Sequence, residues 1–550
     1  MSIRTQLLRP IAFLIGRHAM RQVNAFKAAH QRTADVQADL LREMVGACAQ
    51  TDFGRDHGLA SVRTYEDFTR AVPVGNYDTL RPYMERVLAG QTTALLPSGQ
   101  RVMMFSQTSG TTGSPKCIPV TSRVLADTRR GWNVWGLMAL VDHKDAWLRS
   151  ILQISSSMRE SQSPTGLPCG AISGLLAATQ KRIVRGMYCV PLGVSDIADS
   201  ESRFYTVLRC GIDRDVAFIT TANPSSTIKL IETGQRHAER LVRDVRDGTF
   251  TPPGEVGDAL RRRIRRRPNP ALAGHLERSI ARDGQLLPRH FWRLSFLGNW
   301  TGGTLGLYMP RLRELFGDVP VRDIGLLASE GRFSVPMGDG TAAGVAEITG
   351  NFLEFIPAEE YTGAEGLAAT RALRAHELET GAEYFVVVTN WSGLWRYSMD
   401  YRIRVVGKFG QSPVIEFLSR GLHTANITGE KITEHQVVTA MATAAARCGV
   451  AIERFVMQGR FARRPFYELR LETQEGLDAA ALASYLDAAL CEQNVEYQSK
   501  RKSDRLGPIT VALLPPGTLE SAERASIAAR RGRTEQYKHK YLLTEIIRDE

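Results

Sequence analysis

Apolar positions recur at helical spacing near the N-terminus, where Val36, Leu40, Leu41 and Met44 share one face, and this predicts helices through residues 1–50. Farther along, short β-rich runs take over: Val102 to Phe105, Ala146 to Ile154, Val216 to Thr220, Val319 to Leu327 and Phe385 to Thr389. Helical stretches separate them, and strands alternating with helices predict an α/β fold whose sheets are flanked by helices. Gly410-Gln-Ser-Pro413 reads as a turn, and Val414 to Leu418 as a strand leading into Ser419-Arg420-Gly421. Beyond it come a helix, a strand pair (Arg454 to Met457 and Tyr467 to Glu472), a second helix and a strand near Ile509 to Leu513. That pattern predicts a small α+β unit. No repeat of solenoid period is visible. A chain of 550 residues exceeds what one core supports, so a large domain over 1–418 and a small one over 419–550 are expected.

Composition changes this picture little. Hydrophobic content of 43% and charged content of 23% are those of an ordinary globular enzyme. The net charge of +12 is concentrated in Arg261-Arg-Arg-Ile-Arg-Arg-Arg267. This run has no interleaved aromatics and precedes Pro268-Asn-Pro270, so it reads as a solvated helix end rather than a nucleic-acid surface. Seven cysteines are scattered without a C-x-x-C pair, which argues against a disulfide framework or structural zinc and fits a reducing cytoplasm. The apolar patch Ile11 to Ile15 is too short to span a bilayer. It supports only an amphipathic first helix able to touch a neighbouring subunit or a membrane surface, and monomer and homodimer both stay open.

The chemistry concentrates in Ser106-Gln-Thr-Ser109-Gly110-Thr111-Thr112-Gly-Ser-Pro-Lys116, followed by Cys117-Ile-Pro-Val-Thr121. Glycines let backbone N–H groups approach a polyphosphate, hydroxyls donate to it, and a lysine adds a point charge. The spacing is not that of a Walker loop. Strand, loop, then helix is the expected local structure. The motif is similar to the phosphate loop of the adenylate-forming superfamily. Thr51 to Gly58, Pro73-Val-Gly-Asn-Tyr-Asp78, Arg267 to Ala271, Ala328-Ser-Glu-Gly331, Gly393-Leu-Trp-Arg-Tyr397 and Gly429-Glu-Lys431 follow in one order. Together they resemble the auxin-responsive acyl-acid amido synthetases (the Gretchen Hagen 3 family), bacterial members above plant ones.

The resemblance implies a large adenylate-forming domain, a small mobile C-terminal domain, and an ATP-dependent ligase. Such an enzyme adenylates a small carboxylic acid and passes the acyl group to an amine, most plausibly an amino acid. An acyl-CoA synthetase and a catalytically degenerate binding protein are the alternatives. Ser109, Gly110, Thr111, Thr112 and Lys116 would bind the β- and γ-phosphates. One close charge pair is worth on the order of 4 kcal/mol at an effective dielectric near 20, so a single lysine is insufficient and Mg2+ is implied, with Glu330 beside Ser329 as its ligand. Tyr397 and Asp400 are the ribose candidates, although a gapless alignment places Tyr401 where the family has its aspartate. In a strand that slip points Asp400 to the other face, while in a bulge it could still serve. Lys431 and Lys538 (in Gln536-Tyr-Lys538) are the catalytic lysines implied, and Trp300, Gly302, Gly303 and Thr304 would line the adenine and acyl cleft. Ser173 to Leu176 and Trp132 are weaker acyl contacts. Phe417-Leu-Ser-Arg420 is similar to the superfamily's hinge.

Overall fold

The computed structural model describes residues 20–108, 116–264, 267–363, 366–421, 424–425, 427–428, 430, 432–461, 464–472, 476–502, 506–529 and 539–548. The chain divides into two compact units, Met1–Gly302 with Leu312–Phe417 and Gly303–Arg311 with Leu418–Glu550. The fold is a mixed α/β one.

The first unit holds a parallel sheet ordered Ser150–Gln153, Val216–Thr220, Phe296–Gly298 and Val321–Arg322. Val216–Thr220 is buried throughout, as an inner parallel strand must be. The C-terminal ends of these strands open onto Thr221, Asn299 and Asp323, the edge at which open α/β sheets hold ligands. The expected single strand Val319 to Leu327 is broken there. Asp323 takes the Gly325 N–H at 2.6 Å, Gly325 turns at φ 88°, and the chain resumes as the hairpin Leu327–Ala328 with Gly331–Arg332.

A second sheet is ordered Lys116–Thr121, Val102–Thr108, Pro168–Gly170 and Ser161–Gln162. Its first two strands correct the strand–loop–helix expectation. The residues after the phosphate loop return antiparallel, Thr108 opposite Lys116 and Ser106 opposite Ile118, before the helix Ser122–Asp142 begins on the Thr121 cap. Pro119 is tolerated because this is an edge strand. A seven-stranded sheet contains Asn351–Pro357, Glu383–Asn390, Leu394–Phe409 and Ser412–Arg420. Its two faces feed separate clusters: Val386, Val388, Tyr397, Met399 and Tyr401 on one, Ile356, Tyr361, Phe385 and Val387 on the other.

The second unit packs the helices Glu434–Cys448 and Ala479–Gln493 on a sheet ordered Thr510–Leu514, Phe466–Glu472, Phe455–Phe461 and Leu542–Arg548. The segment Gly303–Arg311 belongs to it, its turn Gly303–Tyr308 lying on Glu434–Cys448. The basic run ends the helix Asp258–Ile264, and Pro270, rather than only stopping that helix, opens the next one after the Asn269 cap. Among the described residues no helix is long and apolar enough to cross a membrane.

Candidate functional site

Two strand ends and a hairpin tip meet at the edge of the phosphate loop. Lys116, opposite Thr108 at the mouth of its hairpin, directs its Nζ to the Tyr397 hydroxyl at 3.3 Å. On the other strand of that hairpin, the Gln107 carbonyl accepts the Ser329 hydroxyl at 3.2 Å. Lys116, Tyr397 and Ser329, with Glu330 next to it in the chain, therefore gather at the two strand ends that flank the phosphate loop, residues 109–115. Ser109, Gly110, Thr111 and Thr112 belong to that loop and lie outside the described residues, as do Lys431 and Lys538.

Glu330 occupies the tip of the hairpin and is only 4% exposed. Its carboxylate has no hydrogen-bond or ion-pair partner among the described residues, an open state for a buried charge. Its backbone, in contrast, is gripped. Asn390 Nδ2 donates to the Glu330 carbonyl at 2.8 Å and to Asn351 Oδ1 at 3.2 Å, and Asn351 Nδ2 donates to the Arg332 carbonyl at 2.7 Å. Both carbonyls flanking Gly331 (φ 153°) are thus fixed by amide side chains, so the direction of Glu330 is set by groups the sequence does not mark. A pocket opens beside it, lined among others by Asp127, Thr128, Arg332 and Glu347. Burial pushes the Asp127 carboxyl up to about 6, against the pull of Arg130. Burial likewise lowers the Arg332 guanidinium to about 9, with Glu347 and Asp323 opposing.

Trp300 and Gly302 follow the strand Phe296–Gly298. Trp300 Nε1 donates to the Gly325 carbonyl at 2.7 Å, and Asp323 accepts the Thr301 N–H at 2.6 Å and hydroxyl at 2.9 Å. Asp323 therefore ties this segment to the approach of the Ser329–Glu330 hairpin. Burial raises its carboxyl to about 6 although four hydrogen bonds oppose the rise. Gly303 and Thr304 fall in the second unit, Gly303 opening its turn at φ 60°. Ser173 accepts the Ser156 N–H, and Trp132 packs on Trp135 and under the Arg332 guanidinium at 4.5 Å.

Asp400 stands apart. The ladder between Glu383–Asn390 and Leu394–Phe409 skips at this point, Val387 facing Ser398 and Phe385 facing Arg402. Asp400 sits in the resulting bulge at φ 57°. Its carboxylate accepts the hydroxyl of Tyr361, whose ring stacks on Phe385 at 3.7 Å. It is thus on the face opposite Tyr397, while Tyr401, at the position where the resemblance expects the aspartate, is buried against Phe417. Burial and the Asp400 charge drive the Tyr361 phenol far above its ordinary value. A bulge does form, and it does not bring Asp400 to the Lys116 cluster.

One residue absent from the expected set belongs in it. Tyr77 lies under Lys116, its ring 5.5 Å from the ammonium, and its hydroxyl both accepts the Cys117 N–H at 3.1 Å and lies 3.2 Å from the Cys117 carbonyl. The signal was present in the segment Pro73 to Asp78, but nothing in its pattern says which side chain matters.

The chain matches the GH3 family N-terminal domain over residues 22–321, the central domain over 345–420 and the C-terminal domain over 435–545. It is similar to a jasmonoyl–L-amino acid synthetase, GH3.5, of Oryza sativa subsp. japonica, at 23% identity covering 90% of each chain. An indole-3-acetic acid-amido synthetase, GH3.8, of Oryza sativa subsp. indica is 25% identical, over 92% of this chain and 87% of that one. The solved structure of GH3.15 acyl acid amido synthetase superposes with a TM-score of 0.81 over 95% of this chain and 94% of that one at 20% identity, which supports the shared fold. With all three domains matched in order across most of its length, this chain belongs to the GH3 family.

Proposed function

We propose that this chain is an ATP-dependent amido synthetase: it adenylates a small carboxylic acid with release of pyrophosphate, and an amine, of which an amino acid is the favoured class, then displaces AMP to form an amide. The observation that carries this reading is the meeting of Lys116 with Tyr397, and of Ser329 with Gln107, at the two strand ends flanking the phosphate loop, with Glu330 next to Ser329 in the chain. Family membership favours an amine over coenzyme A as acceptor.

In this reading Lys116 and the loop residues Ser109, Gly110, Thr111 and Thr112 hold the triphosphate. Mg2+ would take Glu330, an uncommitted, sheltered hard-oxygen donor. No group of three or more His, Cys, Asp or Glu among the described residues could hold a metal, so phosphate oxygens and water would complete its ligands, as is usual for this ion. Bound there, it would screen charge as pyrophosphate leaves. Trp300 and Gly302 shape the cleft for adenine and acid, with Gly303 and Thr304 following them in the chain. Lys538 stabilises the charge developing on the α-phosphate, and Lys431 reaches the active site in one orientation of the small domain, 419–550.

The test is pyrophosphate release across a panel of carboxylic acids, followed by AMP release with amino acids or coenzyme A as sole acceptor. Glu330→Gln should lower pyrophosphate release at least a hundredfold, about 2.7 kcal/mol of transition-state stabilisation. Unchanged turnover would remove Glu330 from the mechanism. A second reading, a binding protein with a degenerate nucleotide site, draws on the commitment of Asp400 to Tyr361. It predicts no ATP binding by the wild-type chain.

A further inference from the structure

Lys116 is held between two tyrosine rings, and one buried arginine anchors both. Its ammonium lies 5.5 Å from the centre of the Tyr77 ring, a cation–π contact, and 5.8 Å from that of Tyr397, at the hydroxyl edge of the ring, where the bond to the Tyr397 hydroxyl closes the cradle. Tyr397 follows Arg396, which sits in a bulge with φ 39°, a left-handed conformation unusual for a side chain of this size. Tyr77 comes from the segment just after Val72. The two stretches are stitched together around Arg396. Gly75 N–H donates to the Arg396 carbonyl at 3.0 Å, and the Ser398 N–H donates to the Gly75 carbonyl at 2.7 Å. The guanidinium adds the side-chain half of the stitch, donating to the Val72 carbonyl at 3.0 Å.

Arg396 is itself fixed from below. It is 4% exposed, and its Nε and Nη2 form a forked pair with Glu354, which is wholly buried, at 2.8 to 3.1 Å. The Tyr65 hydroxyl donates to the same carboxylate at 2.7 Å. A buried ion pair of this kind is weak evidence of stabilisation and a good device for holding one geometry. Here the geometry held is a strained backbone with one tyrosine carried on each of two strands of chain.

We infer that Arg396, locked by Glu354, is a positioning residue: through Val72, Gly75 and its own backbone it sets Tyr77 and Tyr397 against Lys116, and so fixes where the lysine charge meets the triphosphate. This rests on the functional reading above for its consequence, though not for its geometry.

The test separates the two. Lys116 acetylation by an amine-reactive ester, followed by mass spectrometry, reports the cradle without nucleotide. Arg396→Lys keeps the charge and loses the fork, and it should label at least fivefold faster at Lys116. It should also raise the KM for ATP at least tenfold with the KM for the acid changed less than twofold. Added to Tyr397→Phe, it should raise the ATP KM less than threefold further, because it acts through that ring. A merely structural role would instead raise both KM values together and add fully to Tyr397→Phe. Should Arg396→Lys fail to fold, Glu354→Gln, which keeps the shape, is read by the same measurements. Lys116 labelling unchanged in a folded variant overturns the inference whatever the enzyme does. Faster labelling with the ATP KM indifferent to both Arg396→Lys and Lys116→Met confirms the cradle and overturns the role given to Lys116 in the functional reading.

Discussion

Asp400 shows how far a single position can move the reading of a site. Its carboxylate is the acceptor for the buried Tyr361 phenol, whose further partner among the described residues is Ser398 at 3.2 Å. Asp400→Ala would leave that hydroxyl only the weaker Ser398 contact among the described residues and should cost roughly 1–3 kcal/mol of stability, seen as a lower urea midpoint, with ATP affinity changed less than threefold. A tenfold loss of ATP affinity without loss of stability would instead put Asp400 on the ribose. The position was ambiguous in the sequence for a physical reason. Left-handed backbone is read from glycine, and here both left-handed sites in the strand Leu394–Phe409 are filled by Arg396 and Asp400. Neither bulge announces itself, so a gapless count gives the face of neither side chain. Glu330 and Lys116 were legible because they flank glycines and hydroxyls at strand ends. Asn351 and Asn390, at the ends of apolar strands, and Asp323, just past one, hold the backbone around them and carry no spacing signal.

At the level of elements, apolar runs located strands well and boundaries poorly. Phe385 to Thr389 lies inside Glu383–Asn390, and Tyr467 to Glu472 inside Phe466–Glu472. Val319 to Leu327 failed as one strand because Asp323 bonds forward to Gly325, a local turn that apolar neighbours hide. The hairpin after the phosphate loop was hidden by Pro119, which only an edge strand admits. The turn before Lys431 offers a test of such local wiring. Burial pushes the Glu430 carboxyl up, yet the N–H groups of Ile427 and Thr428 with the Tyr467 and Thr428 hydroxyls outweigh it and hold the group below its ordinary value. A carboxyl lowered on folding binds its proton more readily when unfolded. Its contribution is therefore complete above the ordinary glutamate value of 4.5 and is lost as pH falls toward the lower folded value. Urea midpoints measured from pH 7 down to pH 3 should fall more steeply for wild type than for Glu430→Gln. Equal slopes would deny Glu430 this role.

Across the whole molecule, the strand Ser412–Arg420 passes from one unit to the other, the division falling between Phe417 and Leu418. Gly421 follows at φ 68°, a conformation that admits glycine easily. If the small unit reorients between adenylation and amide formation, as proposed for 419–550, this is one of the places where the backbone must give, the others being the two ends of Gly303–Arg311. Gly421→Val should leave the fold intact and slow one half-reaction at least fivefold, pyrophosphate exchange and amine-dependent AMP release being timed separately. Equal rates for both would move the pivot elsewhere.

The route of the chain adds a constraint on how the protein is made. Gly303–Arg311 emerges from the ribosome inside the first unit's sequence but packs in the second, where burial, and after it Tyr308, hold the Tyr541 phenol well above its ordinary value. At roughly 5–20 residues per second, its partners follow only after about 5 to 20 s, when residues from Leu418 onward are synthesised. Until then the turn Gly303–Tyr308 lacks the helix Glu434–Cys448 on which it lies. Slower translation across residues 312–417 would lengthen that exposure, so the yield of folded protein should depend on codon choice in a stretch that contributes nothing to the second unit's core.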